Sequence, residues 1–301
     1  MPVVAGAVRS CILAGDCMKR ILTAIVLIAI VMAIVFLGPL WLMAIAAAIV
    51  AALAAYEYRA LAKKSAATKN SSIDIPLWWL LSATVIIFFF TLRLPDFELP
   101  VLTLVTFILF AWAGFRAPLE RALLDTALGL FALIYVVYPL TLLPLIKAHE
   151  DGTGLLVFLF VCVWMGDIAA LYIGKNFGKR KLAPRLSPNK TIEGSIASII
   201  GSVGFGMAIY YLGIYLAGRG YTGLLIAIPA WQMVLLAMVL NLAAQLGDLL
   251  ESAIKRGACA KDSGTMLPGH GGILDRIDAL LLAAPVLWYI LLLKDWQGLF
   301  R

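Results

Sequence analysis

Four aspartates in the second half of this chain have the spacing to converge on a cation. Asn241, Gln245 and Asp248 follow an i, i+4, i+7 pattern and share one helix face, at the end of an otherwise apolar run. Asp275 and Asp278 follow i, i+3 at the start of the last apolar run, and Asp167 sits near the end of another. Hard oxygen ligands of this kind suit Mg²⁺. Taken singly, each has a plainer reading: Asp248 could pair with Lys255, and Asp275 and Asp278 could be first-turn acids complementing a helix dipole. Four acids at one membrane depth, among Lys179, Lys181, Lys190, Lys255, Arg256, Lys261 and Arg276, point instead to a metal and an anion held together.

The glycines and prolines add a second chemistry. Pro268-Gly269-His270-Gly271-Gly272 cannot continue a helix and leaves backbone N–H groups available to cradle phosphate. Ser187-Pro188 reads as an N-cap followed by proline at the first helical position, which predicts a helix N-terminus beside Lys190 and Thr191. Ordinary turn chemistry would explain either segment alone. Gly174 to Lys179 is no P-loop, because three residues separate Gly174 from Gly178 and Arg180 replaces the required Ser or Thr. His270 reads equally as a hydrogen-bonded loop histidine or a catalytic one.

These residues sit in a chain of 301 residues, 63% hydrophobic and 14% charged. A soluble domain runs at roughly 45–50% apolar and about 25% charged, so much of this surface does not face water. Disorder and a disulfide scaffold are excluded by the same figures. Four cysteines, at 11, 17, 162 and 259, and two histidines offer no zinc site. The net charge of +7 reads as loops resting on anionic lipid, with no nucleic-acid partner.

Charge-free runs at 21–56, 75–92, 99–115, 126–146, 152–174 (with Asp167 inside), 194–218, 220–247 and 279–293 supply the elements. The first is too long for one crossing and is broken by Gly38-Pro39, so it predicts two helices. The expected fold is an all-α polytopic membrane bundle of about nine crossings. Nineteen Lys and Arg fall in the alternate segments that include the N-terminus and five in the others, which predicts a cytoplasmic N-terminus. The first helix is expected to stay uncleaved. Residues 1–125 form four crossings; residues 126–301 form the catalytic region, with cytoplasmic loops at 175–194 and 248–278. Gly194, Ser198, Ser202 and Gly206 recur every four residues and predict close helix packing, within the chain or in a homodimer.

The second loop carries a resemblance. Ser252-Ala-Ile-Lys255-Arg256, four residues, Lys261-Asp262-Ser-Gly264, then Leu267-Pro268-Gly-His270-Gly271-Gly272-Ile-Leu-Asp275-Arg276-Ile-Asp278 resembles the signature of phosphatidate cytidylyltransferases (CDP-diacylglycerol synthases). Asp167, Gly174, Phe177-Gly178-Lys179, Lys181, Pro184, Ser187-Pro188, Lys190-Thr191, Glu193-Gly194, Gln245, Gly247-Asp248 and Glu251 are similar to the upstream part of that family. The resemblance implies an inner-membrane enzyme that joins CTP to phosphatidate, giving CDP-diacylglycerol and pyrophosphate at the cytoplasmic face, with Mg²⁺ as cofactor. It assigns Asp248 and Asp275 to metal, with Asp278 and Asp167 as secondary ligands. Lys255, Arg256, Lys261, Asp262, His270 and Arg276 join them as expected catalytic residues. Lys179, Lys181, Ser187, Lys190, Thr191, Gly269, Gly271 and Gly272 are the expected substrate contacts. Two rivals stand beside it: a CTP-dependent transferase acting on another lipid phosphate, and a carrier of anionic lipid. The carrier would need polar groups lining several helices at the midplane, which are nearly absent.

Overall fold

The computed structural model describes residues 25–65, 75–116, 118–266 and 271–298. Helix α1 (Ile25–Leu37) ends at Gly38-Pro39, where α2 (Leu40–Lys64) begins. Proline cannot donate the backbone hydrogen bond that a continuous helix needs, and any side chain at Gly38 would meet the Ile34 carbonyl oxygen at 2.7 Å. The ammonium of Lys147 closes this break by donating to the Ile34 carbonyl at 2.7 Å and to that of Gly38 at 2.5 Å. Then come α3 (Leu77–Arg93), α4 (Glu98–Arg116), α5 (Leu119–Ala132) and α6 (Tyr138–Ala148), the last two joined by a π turn over Leu133–Val137. Next are α7 (Gly152–Phe177), α8 (Ile192–Ala217), α9 (Ala230–Gly257), the single turn α10 (Leu274–Ile277) and α11 (Leu280–Gly298).

Among the described residues, six helical spans are long and apolar enough to cross a membrane: α2, Pro95–Arg116, Leu119–Ala148, α7, α8 and α9. Shorter apolar helices occupy Ile25–Leu37, Leu77–Arg93 and Leu280–Lys294. This is the make-up of an integral membrane protein.

Three expectations need correction. Within this predominantly helical chain, β1 (Lys181–Ala183) and β2 (Ser187–Thr191) form one short antiparallel hairpin, with Lys181 opposite Thr191 and Ala183 opposite Ser187. Ser187 therefore lies in a strand and caps nothing. The N-cap of α8 is Thr191, whose hydroxyl accepts from the Gly194 N–H at 3.1 Å, the usual reach to the third helical residue. The run 220–247 is helical only from Ala230, since Pro229 marks the helix start and Gly220 takes a positive φ of 92°. That helix continues to Gly257, so the expected loop at 248 is helical for its first ten residues. Residues 125 and 126 both lie in α5, which continues through the π turn to Ala148.

The packing between α7, α8 and α9 is close because the facing residues are small. Gly194, Ser198, Ser202 and Gly206 are all buried, and a side chain at Gly206 would meet the Cys162 sulfur at 2.8 Å. Asn241 donates to Ser198 Oγ at 2.9 Å and Ser202 Oγ at 2.7 Å, and Gln245 donates to Asn241 Oδ1 at 2.6 Å. Ser195 Oγ donates in turn to Gln245 Oε1 at 2.5 Å. Every polar group on this seam has a partner, which a buried polar cluster requires. The small-residue face is thus spent inside the chain, and the seam leads along α9 straight to Asp248.

Candidate active site

The last turns of α9 present Asp248, Glu251 and Lys255 on one side. Asp278, the residue that ends α10, reaches the same place: ligand oxygens of Asp248, Glu251 and Asp278 all lie within 4.8 Å of one another. Gly247 permits the approach, because a side chain there would meet the Asp278 carbonyl oxygen at 2.6 Å. Glu251 is fully buried, and its Oε1 has no hydrogen-bond donor. Its Oε2 is ion-paired with the Lys255 ammonium. Three convergent carboxylates with an unserved buried oxygen suit a hard divalent cation. Burial pushes the Asp278 carboxyl up to about 7, and the charge of Asp248 pushes it the same way.

Cations rim the group. Lys190, at the end of β2, sits 2.5 Å from Asp248 Oδ2. Asp167 of α7 lies within the electrostatic reach of both Asp248 and Lys190.

Asp275 stands apart from this group. Its Oδ1 faces Lys255 Nζ at 2.7 Å, and its Oδ2 accepts from the Ser263 N–H at 2.8 Å, the Ser263 hydroxyl at 2.9 Å and the Gly272 N–H at 2.9 Å. Burial works against its charge, yet Lys255 and the two N–H groups outweigh it and hold the carboxyl below its ordinary value. Asp275 is thus surrounded by donors and lies outside the Asp248, Glu251 and Asp278 group. The i, i+3 pair divides: Asp275, in α10, faces Ser263, Gly272 and Lys255, while Asp278, just after it, faces Asp248 and Glu251.

The remaining expected residues divide as follows. The Gly272 N–H is committed to Asp275, which removes it from a phosphate cradle. Gly271 adopts φ 83°, a conformation that favours glycine. Gly269 and His270 lie outside the described residues. Arg256 donates to the Leu186 carbonyl at 3.2 Å and the Ala260 carbonyl at 3.1 Å, so its guanidinium pins the β-hairpin turn to the end of α9. Lys179, Lys181, Lys261, Asp262 and Arg276 are exposed, Ser187 is half-buried in its strand, and Thr191 is buried as the cap.

Three further residues belong here and were not expected. Glu251 was passed over as a helix residue leading into the signature. Ser263 bridges Asp275 and Glu57, with its hydroxyl 3.0 Å from Glu57 Oε2. Glu57 itself comes from α2, is 2% exposed, and accepts from the Leu274 N–H at 2.9 Å. Gly264 and Gly272 leave room for it, since a side chain at either would meet a Glu57 carboxylate oxygen at 2.3 Å. The one available signal was an acid inside the apolar register of α2, which reads from sequence as the end of the crossing.

A profile of the cytidylyltransferase family matches residues 18–293. A phosphatidate cytidylyltransferase of Synechocystis sp. is 33% identical over 307 aligned positions, which cover 91% of this chain and 96% of the relative. One from Brucella suis biovar 1 is 42% identical over 163 residues, 54% of this chain and 55% of the relative, and one from Bacillus subtilis is 41% identical over 145 residues, 48% and 50%. In these last two, the chain spans about half the length of the relative it matches.

Proposed function

The chain belongs to the cytidylyltransferase family, and from that premise we propose that it is a phosphatidate cytidylyltransferase, joining CTP and phosphatidate to give CDP-diacylglycerol and pyrophosphate. The observation that carries the reading is the meeting of Asp248, Glu251 and Asp278 beside Lys190 and Lys255, an acid group bordered by cations at the polar end of α9. Asp248, Glu251 and Asp278 would hold Mg²⁺, with Asp167 close by. When bound there, the metal offsets the negative charge of a triphosphate and of departing pyrophosphate.

A phosphate monoester has a second pKa near ~6, so phosphatidate needs no strong general base. The difficulty is repulsion between two anions, and the chain answers it with lysines. Lys190 is placed to exchange Asp248 for a phosphate oxygen, and Lys179, Lys181, Lys261 and Arg276 are exposed on the same two polar segments. Lys255 is held between Glu251 and Asp275, where it steadies the acids and is not free to follow substrate. The lipid phosphate oxygen attacks the α-phosphorus of CTP in line while the bond to the β-phosphate breaks, and no covalent enzyme intermediate forms.

Nine crossings with a cytoplasmic N-terminus fit the nineteen-to-five division of basic residues, and put the site where CTP arrives from the cytoplasm while the acyl chains stay in lipid. Cysteines introduced at 64 and 219 should then label from opposite faces. The reading is tested by incubating purified protein with CTP, Mg²⁺ and a panel of lipid phosphates. Stoichiometric pyrophosphate and CDP-diacylglycerol with phosphatidate are expected; turnover only with a different lipid phosphate would replace the substrate, and none with any would sink the reading.

A further inference from the structure

The π turn Leu133–Val137, packed on α2, places a buried tyrosine hydroxyl within electrostatic reach of the carboxylate group. A π turn adds a residue to the helical ladder and often marks a functional site, because it turns a side chain out of the register on either side. Here the central residue is Tyr135. Its ring is stacked on Phe131 with centroids 5.2 Å apart and planes at 16°, while Leu133, Val136 and Val137 around it are fully buried. The ring therefore has little freedom to redirect its hydroxyl.

That hydroxyl is buried and has no hydrogen-bond partner. It lies within electrostatic reach of Glu251, Asp278 and Asp248, the three acids of the group, without bonding any of them. Buried tyrosine hydroxyls are normally paired, and leaving one unpaired costs about 1–3 kcal/mol. A phenol can donate, and the three acids that act on it electrostatically do not take up that donor. The missing partner is an acceptor that arrives with ligand.

We propose that Tyr135 donates a hydrogen bond to a phosphate oxygen of substrate bound at the Asp248, Glu251 and Asp278 group, which makes it a catalytic residue supplied by the helix pair opposite the polar loops in sequence. Phosphate as the ligand rests on the function proposed above; the donor and its aim do not. The oxygen can belong to CTP or to the lipid phosphate, which offer the same acceptor chemistry.

Tyr135→Phe deletes the hydroxyl alone and keeps the stacked ring. Three measurements decide the matter. The melting temperature without ligands should stay level or rise, because the variant loses an unsatisfied buried group; a clear fall would mean that the hydroxyl supports the fold, and would overturn the proposal. The rise in melting temperature produced by Mg²⁺ alone should match that of the parent, whereas its loss would make Tyr135 part of the metal site and not a phosphate donor. Affinity for CTP or for short-chain phosphatidate, measured separately by calorimetry with Mg²⁺ present, should drop by about 10- to 100-fold for the one whose oxygen is held, with kcat falling alongside. Affinities and kcat all within twofold of the parent would overturn it. Should the parent fail to turn over CTP with phosphatidate, the proposed function falls, but the comparison of phosphate affinities still judges Tyr135.

Discussion

The carboxylate of Asp275 and those of Asp248, Glu251 and Asp278 occupy one corner of the molecule, with Lys255 between them, yet their surroundings are opposite. Asp275 is ringed by donors: an ammonium, a hydroxyl and two backbone N–H groups. The other three face one another with a single close cation or N–H each, Lys190 on Asp248, Lys255 on Glu251 and the Ala279 N–H on Asp278, and a buried oxygen of Glu251 has no donor at all. Satisfied acids tie a structure together, whereas acids left short of donors store repulsion that a bound cation relieves. Donor supply, more than acidity, separates the anchor from the site.

The sharpest test of that contrast is Asp278→Asn. It keeps the shape and removes one ligand charge, so turnover should fall by about 10³-fold while melting in metal-free buffer does not fall. Mg²⁺ should no longer raise the melting temperature. A variant still stabilised by Mg²⁺ like the parent would break the comparison on its metal side.

Asp275→Asn should do the reverse. Breaking a buried pair leaves Lys255 short of a partner and costs about 3–5 kcal/mol, read as a lower thermal midpoint in detergent, while the protein that remains folded keeps its Mg²⁺-induced shift. Unchanged stability with lost metal response would exchange the two roles.

Glu57→Gln is the milder version of the same test. The charge goes and the size stays: the amide oxygen can keep the Leu274 N–H and the Ser263 hydroxyl at the Oε2 position, while the amide nitrogen takes the place of the unpartnered Oε1, at a cost of about 1–3 kcal/mol. Apparent Mg²⁺ affinity should hold.

The smallest effect is in pH. The Asp278 carboxyl is raised, so in the folded state it binds a proton near neutrality that would be lost in the unfolded chain. Metal-free protein should therefore gain stability as pH falls from about 8 to about 6, while Mg²⁺ affinity weakens up to about tenfold per unit because protons compete for the ligand. Asp275, held below its ordinary value, contributes stability above the unfolded pKa of about 3.9 and loses it only in acid below that range. Titration of the melting temperature with and without Mg²⁺ separates the two.

Much of this was visible in the residues. Long apolar runs place α2, α7 and α8, and the i, i+4, i+7 spacing of Asn241, Gln245 and Asp248 does follow one seam of α9, because helical periodicity is local. Asp275 and Asp278 were harder to separate, since their division depends on partners, Ser263 for one and Asp248 and Glu251 for the other, that an i, i+3 spacing does not name. Ser187-Pro188 misled for a related reason: serine followed by proline suits an extended strand as well as a cap, and the partner strand at Lys181 decides. Glu57 could not be placed from sequence, because its partners lie 206 and 217 residues downstream.

That separation has a consequence in time. Ribosomes deliver about 5–20 residues per second, so roughly 10–40 s pass between synthesis of Glu57 and arrival of Ser263. Throughout that interval α2 carries an acid within an apolar helix whose future partners do not yet exist, a state costly enough to keep the helix near the water interface or at the insertion machinery. A nascent chain that stops before residue 263 never supplies that acid with these donors. The order of synthesis thus runs opposite to the order of need: the acid of α2 is made early, and the loop that serves it is made late.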